Sequence, residues 1–126
     1  MKELTIIVYA RHFVRDDWNR DIDADAIASL ARELDAELTP FGWRISCQAD
    51  DGFKVDVKGY GDLLNAVRLR VGDGGSPCLG HVIGASAACD PLADIRRGVN
   101  RLIFAPETIE PEGSDKRICH NCGCGC

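Results

Sequence analysis

The run Leu4-Thr5-Ile6-Ile7-Val8-Tyr9 is β-branched and aromatic, and it is apolar on both alternating faces, the pattern of a central strand covered from two sides. The next segment, Arg11 to Asp25, is polar and acid-rich. A helix then follows, with Ile27, Leu30, Ala31, Leu34 and Leu38 at helical spacing and Arg32, Glu33, Asp35 and Glu37 on the other face. Thr39-Pro40 and Gly42 end it. Ile45, Cys47 and Ala49 alternate with Arg44, Ser46 and Gln48, and alternation resumes after Asp50-Asp51-Gly52 with Phe53, Val55 and Val57. A β-hairpin is predicted. Sharing one apolar face requires Ala49 opposite Phe53 and Cys47 opposite Val55, across a three-residue loop with Gly52 in the left-handed position.

Tyr60, Leu63, Leu64, Val67 and Val71 mark a second helical face, with Asp62 as cap and Gly72 as stop. Val67, Leu69 and Val71 also alternate with Arg68 and Arg70, so a strand competes for that stretch. Residues 72–77 read as a glycine-rich connection. Cys78 to Ala85 reads as a second buried or edge strand, on which residues three apart, such as Cys78 and His81, face opposite ways. Asp90-Pro91 caps a final helix striped by Leu92, Ile95, Val99, Leu102 and Ile103, with Arg96, Arg97 and Arg101 outward.

The order strand, helix, hairpin, helix, strand, helix predicts a ferredoxin-like βαββαβ α/β sandwich with an added C-terminal helix. That helix, or a second copy of the chain, would cover the other face of the first strand. A thioredoxin-like fold is the alternative, with Ser76-Pro77 as the turn before its last strands. The hairpin argues against it, because that fold needs a helix after the second strand. The chain divides into a single α/β domain over residues 1–105, a linker over 106–118 rich in Pro, Glu, Gly and Ser, and a flexible cysteine-rich motif over 119–126.

Composition narrows the function. A chain of 126 residues supplies one core. A net charge of −5 with no basic run lacks the footprint of a nucleic-acid binder. The opening apolar run is too short to span a membrane, which leaves a cytoplasmic location as the expectation. Seven cysteines, three of them the scattered Cys47, Cys78 and Cys89, do not form the paired framework of a small secreted protein. Asp21, Asp23 and Asp25 have the spacing that opens a calcium loop, but a glycine at the sixth position and a glutamate at the twelfth are missing. These carboxylates fit a helix cap instead.

The chemistry concentrates in Cys119-His120-Asn121-Cys122-Gly123-Cys124-Gly125-Cys126. Cys119, Cys122, Cys124 and Cys126 give a C-x2-C-x-C-x-C spacing whose glycines let closely spaced sulfurs converge, and His120 can replace one of them. Thiolates select zinc, Cu(I) or an iron–sulfur cluster over hard cations. These last eight residues resemble the cysteine clusters of metallothioneins and metallochaperones. Ferredoxin-like copper chaperones carry a C-x2-C between the first strand and first helix, where Arg11 to Asn19 here have no cysteine.

The expected function is therefore a small carrier or assembly factor that presents a soft metal or cluster to a client enzyme. Thiol–disulfide or sulfur-relay chemistry is one alternative. A scaffold whose tail is modified or loaded by a partner enzyme is another. No Ser/His/Asp or paired-carboxylate arrangement is legible, so a carrier is expected rather than a hydrolytic enzyme.

Overall fold

A computed structural model of the chain describes residues 2–17, 21–72, 76–83 and 90–108. The elements are β1 (Lys2–Phe13), α1 (Ala24–Leu38), a 3-10 turn (Thr39–Phe41), β2 (Trp43–Val57), α2 (Tyr60–Asn65), β3 (Val67–Val71), α3 (Leu79–Ile83), α4 (Pro91–Phe104) and a last 3-10 turn (Pro106–Thr108). The protein is mixed α+β. Its described sheet has strand order β2-β1-β3, with β1 parallel to β2 and antiparallel to β3. The central position expected for β1 is borne out, and Leu4, Ile6 and Ile7 place buried side chains on both of its faces.

The hairpin is a correction. Trp43–Val57 is one strand of fifteen residues, and both of its halves pair in parallel with β1. The register slips where Tyr9 pairs with Asp50 and Ala10 with Lys54, so Asp51, Gly52 and Phe53 form an irregularity rather than a reversal. Gly52 stays out of the left-handed region, and Asp50 Oδ1 accepts its N–H at 2.9 Å. Alternation cannot distinguish one bulged strand from two strands of a hairpin. The long partner β1 decides it, because its twelve residues offer a ladder to both halves. Without that hairpin, and with a parallel β1–β2 pair, the described residues do not reproduce the βαββαβ sheet.

Two further stretches resolve differently from their first reading. Of the helix-or-strand choice after Tyr60, both parts form: α2 closes with Ala66 N–H on the Leu63 carbonyl, and β3 takes Val67 to Val71. Asp62 is not the cap: Gly59 holds that position with no side-chain cap bond, and Asp62, inside the first turn, accepts the Lys58 N–H at 2.9 Å. The strand expected from Cys78 to Ala85 is instead α3 over Leu79–Ile83. Its Leu79, Val82 and Ile83 satisfy an i, i+3, i+4 stripe and are all buried. Residues 84 and 85 lie outside the described residues. Just before α3 the chain returns along β3, with an antiparallel bridge between Arg68 and Cys78 and the Leu69 N–H on the Pro77 carbonyl.

Helices α1 and α4 keep their sequence-read limits. Asp23 Oδ1 accepts from the Asp25 and Ala26 N–H groups, and Asp90 accepts from Ala93, each a side-chain N-cap. The stripe from Ile27 to Leu38 is buried as expected. The α4 arginines are not simply solvated. Arg96 donates to Glu37 at 2.7 Å and Glu33 at 2.9 Å, which ties α4 to α1, while Arg101 reaches the Val82 carbonyl of α3 at 3.0 Å. Gly98 allows the close approach between α4 and its neighbours: a Cβ there would lie 2.5 Å from Leu79 Cδ1 and 3.1 Å from Leu69 Cδ1.

Candidate functional site

The five residues nominated as metal ligands, Cys119, His120, Cys122, Cys124 and Cys126, lie outside the described residues, as do Cys89 and the linker from 109 to 118. The structure does show where the chain leaves the body. Phe104, at the end of α4, stacks edge-to-face on Phe41, just past the end of α1, with centroids 5.2 Å apart. Pro106–Thr108 follow directly. The segment toward the cysteines therefore starts at the C-terminal end of α1.

Cys47 and Cys78 in the body are free thiols. Cys78 is buried, and its Sγ accepts the His81 N–H at 3.3 Å as the chain enters α3. The closeness of Cys78 and His81 is thus the geometry of a helix start rather than of two residues on opposite faces of a strand. Cys47 is half-buried on β2, opposite Ile6. Among the described residues, no three His, Cys, Asp or Glu side chains are grouped to hold a metal ion. Asp21 and Asp23 spend their carboxylates locally, on Arg11 Nε at 2.6 Å and the Ile22 N–H at 2.7 Å, and on the α1 cap.

A concavity among the described residues lies at the opposite end of α1 from the exit of the chain. A cavity of about 240 Å³ is walled by Val8 and Ala10 of β1, Ile22 and Ile27 at the start of α1, and Cys47 and Ala49 of β2. The walls are mostly apolar, with Arg11, Gln48 and Asp51 among the lining residues, and the segments that line it carry Asp21, Asp23, Asp25, Asp50 and Asp51, four of which are exposed. The Arg11 guanidinium is engaged with Asp21 and with the Tyr9 carbonyl at 2.7 Å. Beside the cavity, β2 is the sheet's edge among the described residues. Asp35 of α1 closes the beginning of that edge by accepting the Ile45 N–H at 2.8 Å, and this bond is the largest cause of a carboxyl held below its usual range. The next outward positions, Cys47 and Ala49, follow from the two-residue period of the strand.

His12 Nδ1 and Asp56 Oδ1 lie 3.2 Å apart on neighbouring strands, and both side chains are exposed. A broader depression at the other end of β1 contains Lys2, Glu3 and Arg70, with Lys2 Nζ 5.4 Å above the Trp43 ring. Its mixed charges give no convergent chemistry.

Sequence reasoning missed a buried polar contact. Asp94, fully buried on α4, accepts a hydrogen bond of 2.5 Å from the hydroxyl of Tyr60 on α2. Its signal was present: Asp94 adjoins Ile95 on the inward side of the α4 stripe, where an acid needs a donor. Comparison with known protein families, with curated proteins and with solved structures finds no match to this chain. No helix among the described residues is long and apolar enough to cross a membrane.

Proposed function

We propose that the protein is a small carrier or assembly factor for a soft metal ion or metal cluster, with Cys119, Cys122, Cys124 and Cys126 as thiolate ligands and His120 as an auxiliary one. The observation that carries this reading is the density of the motif, four sulfurs in eight terminal residues beyond a Pro- and Glu-containing linker. A ligand cluster on a tether can enter a recessed site on a client enzyme and transfer its cargo by stepwise thiolate exchange, while the folded body docks. Zinc, Cu(I) and iron–sulfur centres all suit the donor set. Elemental analysis with an optical spectrum of anaerobically purified protein tests the assignment. A stoichiometric metal lost together with the four cysteines supports it, and metal-free protein that takes up none of the three refutes it.

A second reading, thiol–disulfide or sulfur relay, is favoured by one observation. A parallel β1–β2 pair joined by α1, an antiparallel β3 on the other side of β1, a helix after β2 and a return of the chain beside β3 are compatible with a thioredoxin-like connectivity. A C-x2-C near a βαβ unit is the usual redox arrangement, yet the connection between β1 and α1 contains no cysteine. On this reading too the reactive sulfurs are those of the tail. Intact mass before and after reduction separates a disulfide from bound metal.

A further inference from the structure

We propose that the segment Lys116-Arg117-Ile118 docks on the edge that β2 forms among the described residues, with Ile118 seated in the cavity between the start of α1 and Cys47–Ala49. The chemistry of the site selects this occupant. An added strand beside β2 would lie about 4.8 Å away, and its side chains on the cavity side would point in beside Cys47 and Ala49. The cavity walls are mostly aliphatic, with Tyr9, Arg11, Gln48 and Asp51 also on the lining, so an aliphatic side chain fits, and the flanking segments carry five aspartates beside the one arginine, which is paired with Asp21. Residues 109–118 contain two isoleucines. Ile109 stands among Glu107, Glu110 and Glu112, which this rim repels. Ile118 follows Lys116 and Arg117, which it attracts.

Reach decides in favour of the chain's own segment. The described chain ends at Thr108, four residues past the Phe104 that packs on Phe41 just beyond the C-terminal end of α1, whereas the cavity is at the first turn of α1. Fifteen helical residues span about 22 Å. The ten steps from Thr108 to Ile118 extend to about 33 Å, so the segment can run the length of α1 with slack for its path around the body. Docking would set Cys119, the first sulfur of the motif, next to the β2 edge that carries Cys47. None of this depends on what the sulfurs hold, so its failure would leave metal binding untouched.

The test measures alkylation of Cys47 by iodoacetamide in the reduced, chelator-treated full chain, mapped by peptide mass, together with amide hydrogen exchange at Cys47 and Ala49. Ile118→Asp is expected to accelerate both on the order of tenfold, the factor associated with losing one buried aliphatic side chain. Lys116→Glu combined with Arg117→Glu should do the same at low salt and less at high salt. Ile109→Asp should leave both rates unchanged. Equal rates in wild type and Ile118→Asp would overturn the proposal, as would an Ile109→Asp effect of the same size. Protection that grows with protein concentration would overturn it in favour of docking between two copies.

Discussion

The Tyr60 hydroxyl donates to Asp94 Oδ2 at 2.5 Å, joining α2 to α4 through a bond in which the acid is fully buried and the tyrosine is 5% exposed. Burial is the main cause, and the Asp94 contact the next, of a Tyr60 hydroxyl pushed far above its ordinary range. Because the folded-state pKa is raised, the associated stability is fully present below the unfolded tyrosine value of about 10 and is lost as pH rises above it. Tyr60→Phe is expected to cost about 1–3 kcal/mol at neutral pH, since it deprives a buried acid of a donor. The variant's denaturant midpoint should also fall less between neutral pH and about pH 11 than that of the wild type. Parallel curves for the two proteins would show that the contact does not govern the alkaline limb.

Leu34 tests the helix stripe. It is fully buried on α1 within the main core cluster. Leu34→Ala is expected to lower unfolding free energy by about 2–5 kcal/mol in urea or thermal melts. A change within about 0.5 kcal/mol would contradict the packing of α1 on the sheet.

Asp35 tests the β2 edge. The Ile45 N–H, and secondarily Arg44, hold its carboxyl below the usual carboxylate range. The folded-state pKa is lowered, so the stabilisation is present above about pH 4 and disappears as pH falls through the folded value. Asp35→Ala should speed hydrogen exchange at Ile45 selectively and flatten the acid limb of the stability profile. Unchanged exchange at Ile45 would mean the bond does not persist in solution.

The tail tests function separately from fold. Deleting Cys119 to Cys126 is expected to leave the melting temperature almost unchanged, because the described residues already supply a buried core drawn from residues 4–99. Replacing Cys122 and Cys124 together by Ser should abolish soft-metal binding, since two remaining cysteines cannot complete a four-coordinate thiolate site. His120→Ala should weaken binding less. Full client maturation by the double variant under metal limitation would rule out the carrier function.

Periodicity with strong end signals was legible residue by residue. Asp23 and Asp90 as caps, the buried face of α1 and the central place of β1 follow from side-chain spacing and local hydrogen-bond chemistry, whereas of the expected α4 stripe Ile95 and Val99 are buried, Leu102 and Ile103 partly buried and Leu92 exposed. The candidate cavity was not legible, because it joins β1, the start of α1 and β2, which meet only once the parallel crossover has formed. The Tyr60–Asp94 bond was hidden for the same reason, its partners being 34 residues apart.

By itself the sequence determined where helices start, which faces they bury, and that the soft ligand chemistry lies in the last eight residues, since each of these depends on neighbours within a few turns of chain. Tertiary structure alone decided that Trp43–Val57 runs straight on rather than folding back, and that Cys78–Ile83 turns into a helix rather than extending. In both places the local pattern suits either form. The choice falls to distant partners, the long ladder of β1 for the first and the close face of α4 at Gly98 for the second, because backbone pairing and burial favour whichever form satisfies them.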